Sequence, residues 1–235
     1  MNCHLFESQT PAVEDYLRAI YQLTERDEGQ RMATTSELAA CLDVRPASVT
    51  AMLQRVAAAQ PALVHYHKSH GVTLTADGIK VALGVVRNHR LLESYLHAKL
   101  GFGWDEVHEE ADRLEHVVSP EMAQRMAEAL GNPTHDPHGH AIPAADLSFD
   151  SPATISLLDL AAGQAAQVHH VRDDDSAFLR YLDTIGLRPG SSIIVSCADE
   201  SSPLIWLQVD DCAPIPVDQA AAERVFIIPK PTLSH

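Results

Sequence analysis

One stretch constrains this chain more than any other: His108-Glu109-Glu110-Ala111-Asp112-Arg113-Leu114-Glu115-His116. A helix through it, at 3.6 residues per turn, carries His108, Asp112, Glu115 and His116 on one face. Two imidazoles and two carboxylates on one stripe are donors for a divalent ion. Imidazole suits Zn, Fe and Ni, and carboxylate suits harder ions such as Mn. The plain alternative is a solvated polar face, which is what most such stripes are. His89 and Glu93 repeat the i, i+4 spacing in a segment that otherwise reads as buried helix. Two such faces in neighbouring helices favour a site over a surface.

A chain of 235 residues with 46% apolar content can bury a real core as one large domain or two to three small ones. It contains no run of about 18 apolar residues, so no membrane-spanning helix is expected. Met1 to Thr10 lacks a basic region followed by an apolar one, so no signal peptide is expected. Cys3, Cys41, Cys197 and Cys212 form no CxxC pair, which fits reduced cytoplasmic thiols and argues against a cysteine zinc site. The net charge of −15 counts against nucleic acid, whose affinity for proteins is dominated by phosphate. The distribution of that charge points the other way locally. From Val44 to Thr75 there is no Asp or Glu, while Arg45, Arg55, Lys68, His65, His67 and His70 are present, so this window can dock an anionic surface.

In chain order, Val13, Leu17, Ile20, Tyr21 and Leu23 predict an amphipathic helix entered through Thr10-Pro11. Its polar face carries Glu14, Asp15 and Arg18, and Asp27-Glu28-Gly29-Gln30 punctuates its end. Thr34 or Thr35 caps a short helix reaching Leu42. A turn at Asp43-Val44-Arg45 leads to a helix over Pro46–Val56. Helix, short turn and helix make a helix-turn-helix pattern, which a plain helical hairpin would also satisfy. Its second helix presents Arg45, Pro46, Ala47, Ser48, Thr50 and Gln54 outward, and small residues let such a helix sit deep in a major groove. Met52, Leu53 and Val56 face the core. Ala62 to Thr75 reads as a hairpin with His67, Lys68 and His70 at its tip, the wing of a winged helix-turn-helix.

A long helix over Ile79–Leu100 follows, then a break at Gly101-Phe102-Gly103, the striped helix over Trp104–Val118, and a helix over Glu121–Leu130. Residues 131–152 read as a Pro-, Gly- and His-rich linker. Its His135, His138 and His140 are either turn residues or a metal site of their own, the turn reading being favoured. Beyond it, Thr154–Leu157, Ala166–Val171, Ser192–Ser196, Ile205–Val209 and Arg224–Ile228 predict five short strands, with one helix over Ser176–Ile185. This is the pattern of a small SH3-like barrel. The fold expected is mainly α: a DNA-binding domain over 1–76, a helical metal-binding and dimerisation domain over 77–145, and a barrel over 153–232.

Glu14-Asp15-Tyr16-Leu17-Arg18-Ala19-Ile20-Tyr21, Arg87-Asn88-His89-Arg90-Leu91-Leu92-Glu93, Val107 to His116 and Pro46-Ala47-Ser48-Val49-Thr50, in this order, resemble the metal-dependent regulators of the diphtheria toxin repressor and manganese transport regulator family. The resemblance covers nearly the whole chain, and the barrel corresponds to the family's FeoA-like domain. It implies a cytoplasmic homodimer that binds a palindromic operator in duplex DNA and represses metal-uptake genes when metal is abundant. It implies a primary metal site of Asp15, Asp112, Glu115 and His116. A second site would use His89, Glu93 and His108, with Asp174 from the barrel, the other barrel position being Ala177, which cannot ligate. Iron-type members have Met and Cys where this chain has Asp15 and Asp112, so hard carboxylates point to Mn(II) first and Fe(II) second. Arg18 stands where manganese-type members often carry a Glu, so the chain combines a manganese-type ligand shell with an iron-type frame.

Two rival readings use the same cluster. A metallohydrolase would take Glu115 as general base, but there is no HExxH and no Gly-rich phosphate loop. A metal buffer would leave the helix-turn-helix without a role.

Overall fold

A computed structural model of the chain describes residues 9–24, 31–148, 150, 152–198, 204–210 and 212–230. Cys3, most of the Met1–Thr10 segment and the Asp27–Gln30 punctuation lie outside them. The chain forms two compact units. One comprises Met1–Asn88, Glu115–Ser119 and Pro143–Ser148, the other His89–Leu114, Pro120–Ile142 and Phe149–His235.

In the first unit, helix α1 (Pro11–Thr24) opens where Thr10 O accepts the amides of Val13 and Glu14, with Pro11 tolerated because its missing N–H has no partner in a first turn. Val13, Leu17 and Ile20 are buried. Helix α2 (Thr35–Cys41) is capped by Thr34 in a reciprocal box with Glu37, which satisfies two amides that a helix start leaves unpaired. Asp43 takes φ +49° and turns the chain into helix α3 (Pro46–Ala57). Val49, Leu53 and Val56 of α3 join Leu17, Ile20, Leu38, Leu63 and Val81 in one apolar cluster.

Strands β1 (Val64–His67) and β2 (Gly71–Leu74) pair antiparallel with His67 opposite Gly71, and Ala33 bridges to Val72. At Gly71 φ is +123°, and an added Cβ would lie 2.5 Å from Ala33 O. Gly71→Ala therefore combines a forbidden backbone with a backbone clash, and is expected to cost about 2–3 kcal/mol. Urea unfolding at fixed m-value checks this, and a loss under about 1 kcal/mol would contradict it.

Helix α4 (Ala76–Leu100) begins three residues earlier than its apolar pattern predicts, because Thr75 Oγ1 caps the Gly78 amide at 3.1 Å. The striped segment is not one α-helix to Val118. Helix α5 (Val107–Leu114) gives way to a 3-10 turn over Glu115–Val117. Pro120 disfavours helical geometry at Ser119, and a helix end commonly tightens to i→i+3 bonds. Asn88 Nδ2 secures this turn by donating to Glu115 O at 3.1 Å and Val118 O at 3.4 Å.

In the second unit, helix α6 (Pro120–Ala129) stops at Gly131 and Asn132, both at positive φ. Residues 131–142 are less linker-like than their composition suggests: His135 bridges to Ala141, and Asp136 and His138 are buried. Strands β3 (Ile155–Ser156), β4 (Ala165–Val171), β5 (Ser192–Ala198), β6 (Leu204–Val209), β7 (Ile215–Asp218) and β8 (Val225–Pro229) form an antiparallel sheet in the order β3-β8-β4-β5-β6-β7. The expected first strand is only two residues long, because Ser156 caps a 3-10 turn over Leu157–Asp159. Strand β7 escapes the sequence pattern because Pro216 interrupts it, and proline is tolerated in a sheet at an edge, which is where β7 lies. A four-residue helix, α8 (Gln219–Ala222), capped by Asp218, follows it. Helix α7 (Ser176–Thr184) is capped by Asp175, which accepts the amides of Ala177 and Phe178. Leu179, Leu182, Val168, Ile193, Leu207 and Ile227 share one core with Trp104. The whole is helix plus sheet, with the strands concentrated after residue 154.

Candidate metal centres

In the first unit, α1 carries Asp15 to the 3-10 turn. Asp15, Glu115 and His116 offer ligand atoms within 4.8 Å of one another. His116 Nε2 is 3.0 Å from Asp15 Oδ1 and 3.4 Å from Glu115 Oε1. Its other nitrogen, Nδ1, is 2.6 Å from Glu14 Oε2. Glu115 is almost completely buried and also receives Arg18 at 3.0 Å. Hydrogen bonds to Asp15 and then Glu14 push the His116 pKa up to about 10. The two nitrogens can take different tasks: with Nδ1–H donated to Glu14, loss of the Nε2 proton to a bound cation would leave Nε2 as the ligating nitrogen beside Asp15 and Glu115. This is the carboxylate–imidazole support that fixes tautomer and ring direction at metal sites.

Sequence reasoning placed Glu14 only on a polar face. Its signal was adjacency to Asp15 at the start of a helix, which does not by itself tell a ligand from a support. Glu14→Ala is expected to weaken metal binding about 10- to 100-fold while leaving the ion count unchanged. Calorimetric titration with Mn(II) checks this, and unaltered affinity would deny Glu14 the role.

The second unit holds a larger cluster. His89 and Glu93, one turn apart on α4, meet His108 of α5: His89 Nε2 is 2.9 Å from Glu93 Oε1 and 3.1 Å from His108 Nδ1. Asp173 completes a group of four with ligand atoms within 4.8 Å. Asp112 lies beside them, its Oδ1 3.3 Å from His89 Nδ1. His138 enters from the 131–142 loop, fully buried, with Nδ1 3.6 Å from Glu93 Oε2 and 3.7 Å from Asp173 Oδ2. Its Nε2–H donates to Trp104 O at 2.7 Å, so Nδ1 is the nitrogen aimed at the carboxylates. Asp136, His138 and His140 form a second group of the same tightness. Asp136 Oδ1 accepts the amides of His138 and His140.

The electrostatics are those of charges held without water. Burial would raise the Glu93 carboxyl, but the charge of His89, hydrogen bonds from His108 and His89 and the nearby His138 imidazole hold it well below the usual carboxylate range. Burial opposes protonation of His138, yet Glu93, Asp173 and Asp136 outweigh it and push its pKa up to about 10. His108 and His140 are raised against burial in the same way, His108 by Glu93 and Asp173 and His140 by Asp173 and Asp136. Even so, Glu93 Oε2, Asp136 Oδ2 and His138 Nδ1 are buried without a hydrogen-bond partner among the described residues. Buried polar atoms are seldom left so. Three such atoms around imidazole and carboxylate donors fit a divalent cation.

Asp174, the barrel residue the resemblance implies as a ligand, lies apart from this cluster. Asp174 is mostly exposed and paired with Arg224 at 3.0 Å, and Asp175 is used as the α7 cap. Asp173 is the residue that turns inward. His138, favoured as a turn residue, is the most deeply buried histidine of its loop. The signal for it was Asp136-Pro137-His138, an Asx turn that aims the carboxylate back at its own loop amides.

The expected DNA-contacting residues, Thr50 apart, share one property. Arg45, Pro46, Ala47, Ser48 and Gln54 are exposed on or beside α3, and His67, Lys68 and His70 are exposed at the hairpin. Thr50 is half-buried and bonds back to Pro46 O at 3.1 Å. Met52, expected in the core, is half-buried, and Val49 takes the deeper place.

Three family models match the chain. Residues 9–72 match the iron-dependent repressor N-terminal DNA-binding domain, residues 75–144 the iron-dependent repressor metal-binding and dimerisation domain, and residues 155–229 the FeoA domain. The iron-dependent repressor IdeR of Mycobacterium leprae is 30% identical over 225 residues, 90% of this chain and 95% of that protein. The diphtheria toxin repressor of Corynebacterium efficiens is 31% identical over 190 residues, 77% of this chain and 80% of that protein. A manganese-dependent transcriptional repressor solved in complex with manganese superposes with a TM-score of 0.85 at 33% identity, covering 93% of this chain and 100% of that one.

Proposed function

The chain belongs to the family of iron-dependent and diphtheria toxin repressors, and from that premise we propose that it is a metal-dependent DNA-binding transcriptional repressor of metal-uptake genes, and not an enzyme or a metal buffer. The observation that carries the reading is the placement of His116 between Asp15 and Glu14 of α1 and beside Glu115. Helix α1 packs into the same core as the recognition helix α3, so whatever draws Asp15 toward His116 and Glu115 also sets the reading head.

Asp15, Glu115 and His116 would hold the primary ion. His89, Glu93, His108 and Asp173, backed by His138, would hold the second. A bound divalent cation supplies positive charge that cancels the repulsion among Glu14, Asp15 and Glu115. Without sulfur in either set, Mn(II) is favoured and Fe(II) comes next. Arg18 beside Glu115 makes a two-ion cluster at the primary site unfavourable, since its guanidinium already supplies a cation there. Binding of metal and of operator are then linked reciprocally. Residues 1–76, 77–145 and 153–232 are the DNA-binding, metal-binding and dimerising, and SH3-like domains. A homodimer is the acting species, because two reading heads are needed to span a palindromic operator. No helix among the described residues is long and apolar enough to cross a membrane, in keeping with a cytoplasmic regulator.

The test is binding of the purified protein to DNA from its own upstream region, titrated with Mn(II), anaerobic Fe(II) and Zn(II). Sequence-specific binding that appears with Mn(II) and is reversed by chelator is expected. Specific binding driven by Fe(II) alone would reverse the metal order. Absence of metal-dependent binding would overturn the reading.

A further inference from the structure

Outside the carboxylate-lined centre, the second unit gathers a second set of imidazoles. Strand β4 contains His169 and His170, which as consecutive strand residues should point to opposite faces. The β4–β8 register shifts between Val168 and His170. A bulge of this kind inserts one residue and re-aims its side chain. The two rings accordingly converge, Nδ1 to Nδ1 at 3.0 Å. Gly139 presses on this bulge so closely that an added Cβ would lie 2.0 Å from His169 O. That contact brings the 131–142 loop over β4, with His135 5.5 Å from His169 between ring centroids, nearly perpendicular. His170 is braced from below by Phe226, stacked at 4.5 Å.

We propose that His135, His169 and His170 form a separate, all-imidazole cation site that takes a late transition metal such as Zn(II) or Cu(II) in preference to Mn(II). Nitrogens bound to one tetrahedral zinc at about 2.05 Å stand about 3.4 Å apart, close to the spacing the bulge already imposes on His169 and His170. His135, exposed on its loop, turns about its own side-chain bonds to become the third donor, and water completes the shell. The chemistry differs from that of the buried centre because no carboxylate belongs to this set. Neutral nitrogen donors follow the Irving–Williams order, in which Mn(II) is weakest. His140 marks the boundary: its Nδ1 lies 3.5 Å from Asp136 and from Asp173, and its ring abuts His170 at 5.0 Å.

The experiment is equilibrium dialysis of the tag-free, full-length protein against Zn(II) and, separately, Mn(II), comparing wild type with His135→Ala/His169→Ala. The double variant is expected to lose one Zn(II) per chain and the matching share of the tetrahedral Co(II) absorption band, with its Mn(II) count and Mn(II)-dependent DNA binding unchanged. An unchanged Zn(II) count overturns the proposal. So does a parallel fall in Mn(II), which would make these histidines part of the buried centre. The single variant His135→Ala, altered at an exposed position, repeats the measurement if the double variant unfolds early. Failure of the Zn(II) arm alone leaves the repressor reading intact, and failure of Mn(II)-dependent DNA binding in wild type leaves this site standing.

Discussion

Asp15→Ala is expected to abolish metal-dependent operator binding while the protein remains folded and dimeric. The carboxylate removed is 3.0 Å from His116 Nε2 and, on the proposed reading, would be the ligand that the reading head itself contributes, on a helix packed with α3 in one core. The Asp15 side chain is 40% exposed, so its truncation leaves no cavity and strands no buried partner. His116 keeps Glu14, and Glu115 keeps Arg18. What is lost is the link between metal and helix position. Coupling between two ligand sites is typically about 1–3 kcal/mol, or roughly 5- to 150-fold in affinity, and the variant should forfeit all of it. Fluorescence anisotropy with operator DNA, with and without Mn(II), reads this directly, alongside melting and sedimentation controls. Retention of more than about half the metal-induced gain would show that α1 is not the coupling element.

A larger effect on stability is expected at Glu93. The side chain is fully buried, and His89, His108 and His138 all face it. Glu93→Gln keeps the shape and removes the charge, so imidazolium groups that were held by a carboxylate face one another instead. Removing one partner of a buried charged network typically costs about 3–5 kcal/mol. For a chain of this size that is a fall in Tm of very roughly 6–20 °C. In wild type the Glu93 carboxyl lies below its ordinary value. Its contribution is therefore present at neutral pH and is lost as pH falls below the unfolded carboxylate's titration and on through the folded value. The histidines that Glu93 helps hold above their ordinary value add stability that is fully present below the unfolded imidazole's titration, so the gap should hold or widen from pH 7 to about pH 5 and close only as the carboxylate itself titrates, below about pH 4. Calorimetry of the metal-free proteins from pH 7 to pH 3 measures both quantities. A variant as stable as wild type at pH 7 would show that the histidines are neutral and the network carries little charge.

The two centres were not equally legible. His89, Glu93 and His108 could be found from i, i+4 spacing, because neighbours on one helix face are set by local geometry alone. Asp15 and His116 are about a hundred residues apart, and only the resemblance to a family joined them in advance. Asp173, the neighbour of the expected Asp174, is the one that faces the second cluster. Its neighbours Asp174 and Asp175 are chemically identical to it, and they differ only in what holds them, Arg224 in one case and the α7 amides in the other. His138 was undervalued because Pro, Gly and His in a row have the composition of a solvated loop, whereas Trp104 O and the buried carboxylates draw it inside.

The helices and most strands were determined by sequence alone, since periodicity, capping residues and turn residues act within a few positions of each other. Thr34 with Glu37, Pro46 at the head of α3 and Gly71 in the hairpin are of this kind. Only the tertiary structure decided which carboxylates face which imidazoles. A carboxylate buried beside a histidine and one solvated beside an arginine look alike along the chain. They differ in the water they lose and the charges they meet, and those are properties of packing between segments distant in sequence. The bulge at His169 belongs to the same class: it arises from the pairing of β4 with β8, and no pattern within β4 announces it.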